Sequence, residues 1–205
     1  MTSIRSFIKR KIREQSYITV VSGLPRSGTS MMMSALKKGG MPVLVDNIRK
    51  ADQNNPKGYL ELERVKKLPK GDYDWLAIAQ GKAVKIISAL LTYLPECYQY
   101  KVIFLERDMD EILSSQQRML ERTNKIDEDN QSDEMLRQSY QEHIKEISTW
   151  LEDQDWLQTL YVSYNEILRQ PDIEFQKIAV FLDQLVDPQM MAQVVDPELY
   201  REKHK

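Results

Sequence analysis

Cysteine occurs once in the chain, at Cys97. No internal disulfide can form, so a reducing compartment is expected, with the cytoplasm as the default. Long apolar runs are missing too. Apolar residues fill 41% of the 205 positions, yet no window approaches the roughly 18 to 20 uninterrupted apolar residues that a membrane span needs. The first residues, MTSIRSFIKRKIREQ, are basic but lack the apolar core of a secretion signal. An excess of one charge is also absent. The formal net charge is -2, so nothing global points to nucleic acid.

What is there suits one domain over residues 1–205, with 1–16 as a basic N-terminal segment. In that segment Ile4, Phe7, Ile8 and Ile12 recur at helical spacing among Arg5, Lys9, Arg10, Lys11 and Arg13. Two readings stand: a helix on a membrane surface or a partner, and, more plainly, a solvated helix packed on the domain.

Beyond it, strand and helix patterns alternate. YITVVSG, 17–23, is short, β-branched and ends in glycine, as a buried parallel strand does. A helical pattern runs from Gly28 to about Lys38 and stops at Gly39 and Gly40. MPVLV reads as a short second strand and DNIRKADQNNPKGYLE as a long polar loop. Residues 61–80 are expected to hold one or two short helices. KAVKIIS (82–88), YKVIFLERD (100–108) and LQTLYVSY (157–164) are further strands. Asp108 can cap the next helix, with Glu111 as its capping-box partner. A long helix is predicted over 132–151, with Leu136, Tyr140, Ile144, Ile147 and Leu151 on one face. Two or three helices finish the chain, FQKIAVFL the clearest, with Pro188 and Pro197 punctuating the end. This order predicts a three-layer α/β fold with a central parallel sheet of about four to five strands flanked by helices, and the glycine loop SGLPRSGTS between the first strand and first helix makes it P-loop-type. Such sheets bind ligands beyond the carboxyl ends of their strands, so site residues should follow strands directly.

The stretch SGLPRSGTS, 22–30, follows the first strand and opens the first helix. Free amides in a first helical turn, together with the helix dipole, make an anion site. Gly23 and Gly28 have the spacing of G-x-x-x-x-G-K-[ST], but Thr29 stands where the lysine would be and Ser30 follows. The positive charge lies at Arg26 instead. Nucleotide hydrolysis and kinase chemistry need that lysine on the terminal phosphates. Glu106 and Asp108 could supply a magnesium ligand, which keeps a P-loop kinase-like phosphotransferase open. NKID, 124–127, mimics a guanine-recognition motif but follows a helix, and no D-x-x-G occurs.

PRSGTS after an apolar strand resembles the 5′-phosphosulfate loop of the sulfotransferases, P-[KR]-S-G-[ST]-[ST]. In that family the donor is 3′-phosphoadenosine 5′-phosphosulfate (PAPS), used without a metal. The resemblance implies that Arg26 stabilises the leaving phosphate and that the helix amides with Ser27, Gly28, Thr29 and Ser30 hold it. FLERDMDEILSS is similar to the family's 3′-phosphate motif and implicates Arg107 and Ser115. Read on its own, Ser115 lies beside Ile112 and Met119 on the inward side of its helix, where a hydroxyl needs a partner. YVSYNEILRQPDIEFQKIAVFL is similar to the segment after the family's fourth core strand, which puts Tyr164 against the adenine or simply in the packing. Together the matches span about residues 17–183.

Sulfuryl transfer needs a base for the acceptor and cations for the developing charge. The small-molecule cytosolic branch uses a histidine in a K-T-H context; here Lys85 matches the lysine and Ile87 falls at the histidine. The two histidines present, His143 and His204, follow no core strand and read as surface residues. NNPKGYLELERVKKL resembles the N-P-x-G-Y-x-E stretch of bacterial sulfotransferase-like proteins, which makes Glu61 the first candidate base and Glu63 the second. Such a base needs burial or a like charge to raise its pKa. Lys85 interrupts an apolar strand, so it either snorkels from an edge or enters a pocket and contacts the sulfuryl oxygens. Arg201, Lys203 and Lys205 in the tail read as solvated. In the family the acceptor pocket is usually made by the loops around 46–60 and by inserted helices such as 122–156; those regions are mostly polar here, so the resemblance implies a small-molecule or polar acceptor. The expectation is a PAPS-dependent sulfotransferase acting on a hydroxyl or amine. A kinase-like phosphotransferase and a non-catalytic module binding PAPS or its product are the alternatives.

Overall fold

The structure, a computed structural model, describes residues 17–46, 48, 49, 58–122 and 133–195. The basic segment 1–16, NKID, Pro197, His204 and the basic tail lie outside the described residues. Four strands carry the fold: β1 (Tyr17–Gly23), β2 (Ala83–Lys85), β3 (Gln99–Glu106) and β4 (Leu157–Ser163). Seven α-helices are described: α1 (Thr29–Lys38), α2 (Leu76–Ala79), α3 (Met109–Arg122), α4 (Asp133–Glu152), α5 (Tyr164–Arg169), α6 (Pro171–Phe181) and α7 (Pro188–Ala192). Two 3-10 helices, Glu63–Lys70 and Ser88–Tyr93, flank β2 and α2.

All strands are parallel, in the order β2-β1-β3-β4. The chain leaves β1 toward β2 on one side and later returns to β3 on the other. The order therefore reverses between β1 and β3, and the crevice at their carboxyl ends is where open α/β sheets bind ligands. β1 is buried at every position, as a central strand covered on both faces must be. Its alternate side chains divide between two cores. Val21 joins Met32, Leu36, Leu105, Phe175 and Ile178 on the α1 face. Ile18 and Val20 join Trp75, Val84, Val102, Ile147 and Trp156 on the α4 face. A two-residue period supplying both layers is what turns one sheet into a three-layer fold. No helix among the described residues is long and apolar enough to cross a membrane.

Two strand expectations are corrected. MPVLV is not a strand but a single bridge, Val43 to Ala83. β2 spans three residues and not the seven of KAVKIIS, so the sheet edge beside MPVLV is too short to extend its pairing. After Lys85 the chain turns, and the 3-10 helix Ser88–Tyr93 tucks Leu91 into the core. SALLTY contains neither glycine nor proline, so no punctuation marks that turn. Asp108 caps α3, its carboxylate accepting from the N–H groups of Asp110 and Glu111.

Candidate functional site

The loop after β1 is held in a conformation that only a few residue types accept. Gly23, Arg26 and Gly28 have φ of +143°, +70° and +100°. A Cβ on Gly23 would lie 2.6 Å from the Leu105 carbonyl, and one on Gly28 would lie 2.3 Å from Cδ2 of Tyr164. The glycines thus let the loop press against β3 and against the start of α5. Arg26 has no such exemption, and a left-handed arginine is costly. Two contacts hold it there. Its carbonyl accepts from Arg107 Nη1 at 2.9 Å, and its own Nε donates to Ser115 Oγ at 2.9 Å.

The loop delivers the chain to the N-terminus of α1. Its N-cap is Gly28, which has no side chain to cap it, and its first turn contains no acidic residue. Ser27 is fully buried, and its Oγ has no hydrogen-bond partner among the described residues. A helix start with a glycine N-cap beside a buried hydroxyl without a partner is, among the described residues, an unfilled set of donors, which an anion would satisfy.

Arg107 leaves the end of β3 and is almost fully enclosed. Its Nε donates to Glu111 Oε2 at 2.9 Å, with side-chain exposures of 8% and 2%. The other Glu111 oxygen accepts from Asn165 Nδ2 at 2.8 Å. The guanidinium carbon lies 4.6 Å from the centroid of the Tyr164 ring, in cation–π range. Burial raises the pKa of the Tyr164 phenol, and the positive charges of Arg107 and Arg26 only partly offset it, so the hydroxyl keeps its proton at neutral pH. Arg26, Gly28, Arg107, Ser115 and Tyr164 thus form one connected cluster from the carboxyl ends of β1, β3 and β4. Glu111 gives its N–H to the Asp108 cap, while its carboxylate binds Arg107 and Asn165.

Lys85 ends the edge strand β2 but does not snorkel. Its Nζ is buried against the α1 start, donating to the Tyr59 carbonyl at 2.7 Å and to Ser30 Oγ at 3.2 Å. Glu61 Oε1 lies 2.9 Å from the same nitrogen. Burial lowers the pKa of Lys85; Glu61 opposes that shift, and Arg49 and Arg26 add to it. The second Glu61 oxygen is 3.3 Å from Arg49 Nη1, and Arg49 stacks 3.4 Å from the Tyr59 ring centroid. Ser30 therefore joins the anion loop to the Lys85–Glu61 pair. Glu63 lies elsewhere: it begins the 3-10 helix, and its carboxylate is bound by Lys66 at 2.8 Å on the surface.

The expectation that His143 is a surface residue is also corrected. It is partly buried on α4, and its Nε2 lies 2.8 Å from Oγ of the buried Ser88. Long-range placement by a helix, invisible in local pattern, brings it to the residue run that follows β2. Sequence reasoning also missed Arg49 and Asn165. Asn165 adjoins Tyr164, so a close reading of the β4 end could have raised it. Arg49 sits in a polar loop with no periodic signal.

Comparison with solved structures places this arrangement among known folds. A structure described as the sulfotransferase domain from the curacin biosynthetic pathway superposes with a TM-score of 0.51, covering 88% of this chain and 78% of that one. The identity is 12%, so this likeness concerns the fold alone. No curated protein matches the chain significantly. The family model described as "Sulfotransferase domain" matches residues 18–200, from β1 to beyond α7. The chain belongs to the sulfotransferase domain family.

Proposed function

We propose that the chain transfers a sulfuryl group from PAPS to a hydroxyl or amine of a small or polar acceptor. The observation that carries this reading is the unfilled donor set at the α1 start, with Ser27 Oγ orphaned beneath it, in a chain of this family. Bound there, PAPS would supply an activated sulfuryl group on a leaving phosphate.

The roles of the chain's own residues follow from their places. The α1 amides with Ser27, Gly28, Thr29 and Ser30 hold the 5′-phosphate. Arg107 and Ser115 hold the 3′-phosphate, and Tyr164 packs beside the adenine. Arg26 belongs to both groups: its backbone shapes the 5′ loop, while its Nε reaches Ser115. It offers positive charge to the leaving phosphate without a metal. Lys85 meets the sulfuryl oxygens, and Glu61 takes the acceptor proton. Base and cation stand 2.9 Å apart, so acceptor and transferring group would meet at one point beside Ser30. Positioned charges of this kind act where charge develops during transfer.

Calorimetry with 3′-phosphoadenosine 5′-phosphate (PAP) tests the site, and binding should persist in EDTA. Binding of ATP–Mg²⁺ with no response to PAP would sink the reading in favour of phosphoryl transfer. Arg26→Ala and Arg107→Ala should each weaken PAP by about tenfold or more, the loss of one charge-assisted contact. Glu61→Gln should bind PAP normally and lose about a hundredfold in turnover. Binding of PAP with no turnover on any hydroxyl or amine acceptor would leave a binding module only.

A further inference from the structure

The buried carboxylate of Glu111 is an unexpected neighbour for an anion site. An acid beside a site that takes phosphates repels the ligand unless its charge is spent on something else. Here it is spent on Arg107. One Glu111 oxygen receives Nε of Arg107 at 2.9 Å and the other receives Asn165 at 2.8 Å. With Glu111 2% and Arg107 8% exposed, neither charge is solvated by bulk water. The guanidinium is further fixed by its Nη1 bond to the Arg26 carbonyl and by the face of Tyr164. Tyr164 is itself held against Gly28, where no Cβ would fit. A planar fork gripped on its Nε and Nη1 edges and on one face has its orientation set before any ligand arrives.

We propose that Glu111 and Asn165 are positioning residues that pre-orient Arg107, and that this clamp sets the preference for a nucleotide carrying a 3′-phosphate. The inference rests on the PAPS reading above. The anchor comes from two strand ends: Glu111 one helical turn beyond Arg107 after β3, and Asn165 at the start of α5 after β4. Asn165 orients the carboxylate, and the carboxylate orients the guanidinium. Neither touches the reacting atoms. A mobile Arg107 would keep its charge but lose its aim, and the ordering cost would fall on ligand binding.

The test measures affinities for PAP and for adenosine 5′-monophosphate, which lacks the 3′-phosphate, in the full chain. Glu111→Gln keeps the shape, but it replaces one of the two oxygens that accept from Arg107 and Asn165 with an NH2 donor and removes the charge. Asn165→Ala removes the outer support and is the milder variant should Glu111→Gln fold poorly. Expected is a fall in PAP affinity of about tenfold for Glu111→Gln and about threefold for Asn165→Ala, with the monophosphate unchanged. In an Arg107→Ala background, Glu111→Gln should cost nothing further for PAP, because its effect passes through Arg107. Equal losses for both nucleotides would mean the clamp acts only on the loop through the Arg26 carbonyl, and would overturn the proposal. Unchanged or tighter PAP binding would overturn it as well, the latter showing Glu111 to be a repulsive charge. If the wild-type chain does not prefer PAP over the monophosphate, the donor reading itself fails and this inference goes with it.

Discussion

Lys85 is a cation where an apolar strand residue would be cheaper to bury. Its side chain is 6% exposed, and its amine is held by Glu61, Ser30 and the Tyr59 carbonyl. Burial outweighs those partners and lowers its pKa. Lys85→Met should therefore leave stability within about 1 kcal/mol, since Glu61 keeps Arg49 and the buried charge is gone. Turnover should fall by about a hundredfold or more if the amine stabilises developing charge. Thermal melts and initial rates on the same samples check both. The pH dependence has a definite sign. Unfolded Lys85 titrates near its ordinary 10.5, and folded Lys85 titrates below it. Between those two values the unfolded chain binds more protons, so stability rises with pH. The stability of wild type relative to Lys85→Met should thus increase as pH climbs toward 10.5. A flat difference would show that the amine is not desolvated. The glycines give a second contrast. Gly28→Ala meets the Tyr164 ring at 2.3 Å with φ at +100°, whereas Gly58→Ala, at φ +86°, meets nothing within 4 Å among the described residues. Gly58→Ala should cost only the left-handed backbone term, about 1 to 2 kcal/mol. Gly28→Ala should cost clearly more and also weaken PAP, as urea titration and calorimetry will show.

At the scale of elements, the proposed binding and the support lie at opposite ends of α1. Its N-terminus opens on the anion loop, while its C-terminus meets α7. There the Gly39 carbonyl accepts from the Asp187 N–H at 2.9 Å, and a Cβ on Gly39 would press on Met191 at 2.7 Å. Asp187 caps α7 through the N–H groups of Gln189 and Met190. Asp187→Ala should destabilise the fold by about 1 kcal/mol. PAP affinity should not change, because a ten-residue helix puts about 15 Å between the two ends. Denaturation midpoints and calorimetry separate the two effects. The elements themselves were largely legible. β1, β3 and β4 lie close to where alternation and β-branching put them, and α1 stops at its glycines. β2 and MPVLV were not, since their pairing depends on how much edge the neighbour offers. Glu111 was legible only as a capping residue, because the capping pattern is local and the Arg107–Asn165 link is not.

At the scale of the whole molecule, two cores share one sheet, so neither can open without exposing the other face of β1 and β3. Unfolding should be a single transition, with far-ultraviolet dichroism and tryptophan fluorescence coinciding. Trp75 and Trp156 report the α4 face, and separate midpoints would mean that the layers melt independently. PAP at about 100 times its Kd should add about 2.7 kcal/mol to that transition in EDTA.

The sequence by itself determined the strand–loop–helix start, the missing loop lysine with the positive charge two residues before Gly28 at Arg26, and the spacing of Arg107 and Ser115 on one strand–helix unit. These are local facts: burial period, glycine conformation and a helical turn are all read over a few residues. Only the tertiary structure decided who meets whom. It brought Arg26 to Ser115, Glu61 to Lys85, Ser88 to His143 and Asn165 to Glu111. Those pairings depend on which strand ends lie side by side in the sheet, and strand order is set by the packing of both cores at once, which no local pattern records.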